Sequence, residues 1–157
     1  MDEFEKRNVQ VLGCSVDSQF SHLRWKEMDI NKGGIGNVKY PLVSDLDKSI
    51  SRAYDVLLDS SPATVLINDE EMDTSIGGNV TMRGSFLIDE EGAIRHAVLN
   101  DLPLGRNIDE MLRMVDALAF HTKNGDVCPA NWKEGKTAMK ASDDGMRKYM
   151  AEEASNL

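Results

Sequence analysis

The stretch Thr81-Met82-Arg83-Gly84-Ser85-Phe86-Leu87-Ile88-Asp89-Glu90-Glu91-Gly92-Ala93-Ile94-Arg95-His96-Ala97-Val98-Leu99 decides how this chain is read. Met82, Phe86, Leu87 and Ile88 lead into the acidic turn Asp89-Glu90-Glu91-Gly92, and a second apolar run from Ile94 follows at once. Two short β-prone runs joined by a Gly-containing turn predict a β-hairpin. Beyond it, Gly105-Arg106-Asn107 opens a segment with apolar residues at Ile108, Met111, Leu112, Val115, Leu118 and Ala119. That spacing predicts a helix with one apolar stripe, packed on a sheet.

Working outward, a hairpin followed by such a helix matches the second half of a thioredoxin-like α/β fold. Upstream, Phe4 to Asn8 reads as the end of a helix. Val9-Gln10-Val11-Leu12-Gly13-Cys14-Ser15-Val16 reads as a strand buried on both faces. Asp17-Ser18 can cap a helix carrying Phe20, Leu23, Trp25 and Met28. Lys32-Gly33-Gly34-Ile35-Gly36 is a flexible loop, and Tyr40-Pro41-Leu42-Val43 an extended edge segment. The run Asp45 to Lys48 starts a short helix over residues 49–57. Residues 58–80 break the rhythm with Ser60-Ser61-Pro62, the acids Asp69, Glu70, Glu71 and Asp73, and Gly77-Gly78. Val65-Leu66-Ile67 could form a short strand, but the repelling charges and the Gly and Pro content predict a surface loop. After the central helix comes a polar tail, residues 122–140, with a last short helix at about residues 143–154.

The totals narrow the function classes. At 157 residues the chain has room for one domain with a real core. Its net charge of −9 argues against nucleic acid and anionic membranes as partners. No apolar run is long enough for a spanning helix, and the charged start Met1-Asp2-Glu3-Phe4-Glu5-Lys6-Arg7 does not read as a signal peptide. Two cysteines in unlike contexts do not form a disulfide framework, so the expected compartment is a reducing cytoplasm.

Four residues could carry chemistry. Cys128, in Gly125-Asp126-Val127-Cys128-Pro129-Ala130-Asn131-Trp132, is expected on a mobile, partly exposed segment, where a thiol can meet a sulfenic acid or disulfide elsewhere. An incidental surface cysteine is the bland alternative. Cys14, inside the apolar run, is expected to be a shielded core residue, its pKa raised by apolar surroundings. Arg83 on an apolar strand needs an anion or a carboxylate; a buried ion pair and the activation of a nearby thiol both satisfy it. Arg106 opposes the dipole at a helix N-terminus, which points to a site unless it faces solvent. His22, His96 and His121 share no metal-ligand spacing, and the Gly33 loop is no nucleotide fingerprint.

Several blocks together give the chain a resemblance to the typical two-cysteine peroxiredoxins, in particular the peroxidase component of bacterial alkyl hydroperoxide reductase. They are Val16-Asp17-Ser18-Gln19-Phe20-Ser21-His22, Lys32-Gly33-Gly34-Ile35-Gly36, Tyr40-Pro41-Leu42-Val43-Ser44-Asp45 and Ser49-Ile50-Ser51-Arg52-Ala53-Tyr54. Further on come Arg83-Gly84-Ser85-Phe86-Leu87-Ile88-Asp89, Ile94-Arg95-His96, Asn100-Asp101-Leu102-Pro103-Leu104-Gly105-Arg106 and Val127-Cys128-Pro129-Ala130-Asn131-Trp132. They run in family order over nearly the whole chain.

The resemblance implies a thioredoxin-like peroxiredoxin fold, no cofactor or metal, and reduction of hydrogen peroxide and organic hydroperoxides through a sulfenic acid and an intersubunit disulfide. On that pattern Cys128 matches the resolving cysteine, Arg83 the arginine that stabilises thiolate and peroxide, and Arg106 a supporting second arginine. Implied partners are the hydroperoxide, a homodimer and higher ring, and thioredoxin or the alkyl hydroperoxide reductase flavoprotein as reductant. Lys32 to Gly36 and Tyr149-Met150 look like the features linked to overoxidation sensitivity.

Two departures follow. The peroxidatic Pro-x-x-x-Thr-x-x-Cys motif is not among these residues, so the expected architecture is an N-terminally truncated fold. Residues 1–121 would be a partial thioredoxin-like domain with an inserted acidic loop at 58–80, and residues 122–157 a tail with the resolving cysteine. The rival class is a non-catalytic fragment acting only in assembly or without function. A disulfide reductase of the thioredoxin type would need a Cys-x-x-Cys, which is lacking.

Overall fold

A computed structural model describes residues 1–76 and 78–153. They form two compact units interleaved along the chain, the described residues of 1–85 with Val98–Arg106, and Phe86–Ala97 with residues 107–153. The mixed order of helices and strands is the predicted α/β composition. Ala154, the expected end of the last helix, lies outside the described residues.

In the first unit, α1 (Asp2–Glu5) precedes β1 (Gly13–Ser15), which pairs in parallel with β2 (Leu42–Ser44) in the register Gly13↔Leu42, Cys14↔Val43 and Ser15↔Ser44. Between them α2 (Gln19–Glu27) starts at Ser18, whose hydroxyl accepts from the Ser21 N–H at 3.2 Å. The Gly33 loop is tied down: the Trp25 indole N–H donates to the Gly33 carbonyl at 2.8 Å, and Ile35 N–H donates to the Trp25 carbonyl at 3.2 Å. Gly34 is required there, because a Cβ would stand 1.9 Å from the Met28 carbonyl oxygen.

Asp45 organises the next turn. It is 1% exposed, and its carboxylate accepts from Ile50 N–H at 2.9 Å and from both the N–H and the hydroxyl of Ser51. These bonds start α3 (Ser49–Ala53), shorter than the expected 49–57, which ends where Asp55 turns to a φ of 52°.

Two expectations are corrected here. The strand over residues 9–16 is only three residues long, and Cys14 is exposed rather than in the core. Among the described residues β1 pairs with β2 alone, so the apolar run has no second layer of backbone to cover it. The acidic segment, in turn, is a β-hairpin rather than an irregular loop: β3 (Ser61–Ile67) pairs antiparallel with β4 (Glu70–Ile76). Its two-residue turn, Asn68-Asp69, has both φ values positive, at 54° and 64°. Asn and Asp tolerate that conformation, and it matches the twist of the flanking strands.

The hairpin is nevertheless an excursion. Leu58 N–H donates to Val80 O at 3.0 Å, Met82 N–H to Val56 O at 2.9 Å, and Leu57 bridges Thr81, so the chain leaves and returns at one neck. Leu66, Ile67 and Met72 remain exposed, and β3 and β4 form a two-stranded sheet of their own. Because such a hairpin adds little stability and its ends already meet, deleting residues 61–79 should change the free energy of unfolding by less than about 1 kcal/mol. Urea denaturation checks this; loss of folded protein on deletion would show that the hairpin belongs to the core.

The central hairpin forms as expected from β5 (Arg83–Ile88) and β6 (Ile94–Asn100). Its tip, in the second unit, is closed by Asp89, whose carboxylate accepts from Ala93 N–H at 2.8 Å, with Gly92 at a φ of +84°. The predicted helix is α4 (Ile108–Asn124), capped by the Asn107 side chain on Glu110 N–H at 3.1 Å and stopped by Gly125 at a φ of 73°. Val115 and Ala117 of α4, Leu87 of β5 and Trp132 supply the buried apolar positions of this unit. After Gly125, Val127 and Met139 bridge one another and close a loop, and α5 (Asp143–Glu153) follows. Among the described residues no helix is long and apolar enough to cross a membrane.

Candidate functional site

Arg83 and Arg106 are brought to one place in the first unit by crossed bonds. Arg83 Nε donates to the Leu102 carbonyl at 3.4 Å, and Arg106 Nε donates to the Gly84 carbonyl at 3.0 Å. Arg106 is thus held by the carbonyl of the residue after Arg83, and Arg83 by a carbonyl in the loop that leads to Arg106. Arg83 is exposed at the first position of β5, so the buried ion pair expected as one alternative is not what holds it. Among the described residues neither guanidinium pairs with a carboxylate. A guanidinium anchored by the backbone and free of a counter-charge can attract an anion or a polarised oxygen.

Cys128 belongs to the second unit. The expected mobile, exposed segment is corrected: the thiol is half-buried, and its Sγ donates to the Ala117 carbonyl of α4 at 3.5 Å. Trp132, 3% exposed, explains the difference. Its ring packs on Phe120 with centroids 4.8 Å apart, and its indole N–H donates to the Lys136 carbonyl at 3.0 Å. A tail that composition marks as polar is folded down by one aromatic anchor. Burial pushes the Cys128 thiol above its ordinary value, the nearby Arg113 partly offsets this, and Asp126 adds to the rise.

Cys14 is also pushed up, by desolvation first and by the Asp45 carboxylate second. The direction agrees with the sequence expectation, although the shielding does not. Structure therefore inverts the expected order of access, with Cys14 exposed and Cys128 partly covered.

Residue-type reasoning missed Glu110 and Arg113. The guanidinium grips the Glu110 carboxylate with two bonds, Nε to Oε2 at 2.6 Å and Nη2 to Oε1 at 2.7 Å, while Nη1 donates to the Trp132 carbonyl at 2.9 Å. Arg113 holds the Glu110 carboxyl below its usual range, with smaller help from His96 and Lys133. The Glu-x-x-Arg spacing on a predicted helix was the available signal for the pair. Nothing in the sequence signals the bond to Trp132. Among the described residues no cluster of His, Cys, Asp and Glu could hold a metal ion.

Comparison with known proteins covers nearly the whole chain. The model of the AhpC/TSA family matches residues 1–97, and that of the C-terminal domain of 1-Cys peroxiredoxin matches residues 117–152. Alkyl hydroperoxide reductase C of Buchnera aphidicola subsp. Schizaphis graminum is 48% identical over 149 residues, which are 95% of this chain and 67% of that protein. The Helicobacter pylori protein of the same name is 44% identical over 155 residues, 99% of this chain and 69% of its own length. Among solved structures, the reduced 2-Cys peroxiredoxin of Plasmodium vivax superposes with a TM-score of 0.80 at 45% identity, covering 96% of this chain and 68% of that one.

Proposed function

Because the chain belongs to the AhpC/TSA family of peroxiredoxins, we propose that it carries the resolving half of a thiol peroxidase that reduces hydrogen peroxide and organic hydroperoxides. The observation that carries this reading is the two backbone-anchored guanidiniums of the first unit, Arg83 on the Leu102 carbonyl and Arg106 on the Gly84 carbonyl, neither with a carboxylate partner among the described residues. Such a pair suits a site where a thiolate attacks a peroxide oxygen. The O–O bond breaks, the leaving oxygen takes a proton and departs as water or an alcohol, and the sulfur becomes a sulfenic acid. Cys128, as thiolate, then attacks that sulfur on another chain; the S–O bond breaks, water leaves with a proton, and a disulfide remains. Two electrons and two protons from a dithiol, supplied by thioredoxin or by the alkyl hydroperoxide reductase flavoprotein, restore both thiols.

In this reading residues 1–121 form the partial peroxiredoxin domain, with 58–80 as an insertion, and residues 122–157 form the tail that brings the resolving thiol. The partner chain is a second peroxiredoxin subunit in a dimer or larger ring, and the compartment is the cytoplasm. One observation favours the rival, a fragment active only in assembly: both thiols of this chain are pushed up, so neither is an activated nucleophile.

The test mixes the chain with a full-length relative whose own resolving cysteine is replaced by serine, and adds one equivalent of peroxide. After circular dichroism has established that the chain is folded, a reducible crosslink through Cys128 is expected, absent in Cys128→Ser. A folded chain that associates with the relative yet crosslinks only through Cys14, or not at all, sinks the resolving assignment.

A further inference from the structure

We propose that Arg113 is the positioning residue for the Cys128 thiol, its guanidinium stapling residues 128–132 to α4 and holding the sulfur in its seat at Ala117. The proposal rests on the resolving role of Cys128 and adds what controls that thiol's release. An ion pair three residues apart on a helix surface contributes little by itself. Here the same cation also reaches a carbonyl 19 residues further along the chain. Its anchor is stiff, since Glu110 grips two of its nitrogens and the Glu110 N–H is itself held by Asn107.

The stapled segment is stiff as well. Trp132 N–H donates to the Pro129 carbonyl at 3.1 Å, and the indole closes on Lys136 at 3.0 Å, so residues 129–136 form one tight turn under Phe120. Among the described residues three side-chain contacts join residues 126–132 to α4: His121 to the Asp126 carbonyl at 2.8 Å, Cys128 to Ala117, and Arg113 to Trp132, of which only the last reaches the turn beyond Cys128. Arg113 and Ala117 stand four positions apart, so clamp and thiol seat lie one above the other on the same face of the helix. The weak thiol bond at 3.5 Å cannot hold the turn alone, and the fork of the guanidinium supplies the rigid attachment. Lysine, a point charge on a flexible stem, cannot grip Glu110 with two bonds and reach the carbonyl as well. For Cys128 to meet a sulfur on another chain, Arg113 must let go of Trp132, so this bond sets the rate at which the thiol becomes available.

The test uses the full chain with Cys14→Ser, leaving Cys128 as the one thiol. Its alkylation by iodoacetamide is followed by mass spectrometry between about pH 6 and pH 10, together with amide exchange along α4. In Arg113→Met and Arg113→Lys the plateau rate at high pH should rise about tenfold or more as the turn opens. The midpoint should fall toward that of an ordinary thiol, because burial outweighs Arg113 among the influences on Cys128. Exchange along α4 should stay unchanged. A rate within about twofold of the parent in both variants overturns the proposal. So does an equal rise in Val115→Ala, which thins the same core and leaves the staple intact. Should Arg113→Met lose its helix, Arg113→Lys, which keeps the charge and a good helix former, decides. Failure of the crosslink to form with an opened thiol would count against the resolving role and leave the staple standing; an unopened thiol that crosslinks would do the reverse.

Discussion

Supplied with a thioredoxin couple, the 157-residue chain will consume hydrogen peroxide no faster than its Cys128→Ser variant. A peroxide-reducing sulfur must be a thiolate at neutral pH, with a cation beside it to hold that charge. Cys14 shares a unit with Arg83 and Arg106, yet the charge acting on it is the carboxylate of Asp45, which raises its pKa further. Cys128 has a cation nearby in Arg113, but that guanidinium is occupied by Glu110 and Trp132, and burial outweighs it. A thiol whose pKa is raised carries less thiolate at neutral pH than an ordinary one. The chain should therefore react with peroxide more slowly than a free cysteine derivative at the same concentration. Peroxide consumption is read by dye oxidation or by loss of the reductant's absorbance. Turnover well above the Cys128→Ser control, and lost in Cys14→Ser, would falsify this expectation and make Cys14 the nucleophile.

Replacing Asp45 by asparagine should remove about 2–4 kcal/mol from the stability of the first unit. The carboxylate is nearly inaccessible and accepts three bonds, two from backbone N–H groups at the start of α3 and one from the Ser51 hydroxyl. An amide turns one acceptor oxygen into a donor that faces another donor, leaving buried groups unpaired. Burial pushes the Asp45 carboxyl up, but the bonds from Ser51 and Ile50, with the charge of Arg52, outweigh it and hold the group below its ordinary 3.8. The folded state therefore binds this proton less readily than the unfolded chain does. The stabilisation is fully present above the ordinary carboxylate value, and it is lost as pH falls through the lower value of the folded state. Urea unfolding at neutral pH and at about pH 3 should show the gap between parent and Asp45→Asn narrowing in acid. Equal stability of the two proteins at neutral pH would contradict the reading.

What could be read in advance follows from how far apart the interacting residues lie. The stripe from Ile108 to Ala119 repeats at the helical period, and it produced α4 where it was expected. The turn Asp89-Glu90-Glu91-Gly92 stated its own geometry, and β5 and β6 formed on either side of it. The acidic hairpin was harder because its two signals conflict: clustered like charge argues for a loop, while Asn68-Asp69 offers a turn with positive φ at both positions. Turn chemistry prevailed, since exposed strands let the acids point into solvent. The length and burial of β1 were misjudged because an apolar run records what it could bury, and burial depends on a neighbouring layer. In the candidate site, Arg83 and Arg106 are the residues that residue type and resemblance single out. Neither signals the staple on Trp132, since a guanidinium bonded to a backbone carbonyl leaves no mark on the identity of the residue that owns the carbonyl.

The burial of Trp132 gives the molecule a built-in optical reporter. Its two tryptophans are divided one to each unit, Trp25 at 42% exposure in the first and Trp132 at 3% in the second. An indole in an apolar seat emits to the blue of one in water, so the two halves of the emission band follow different parts of the chain. The blue edge tracks the aromatic seat beside Cys128, and the red edge tracks α2 and its glycine loop. A ligand, reductant or denaturant that disturbs one unit before the other will announce which one by the side of the spectrum that moves first.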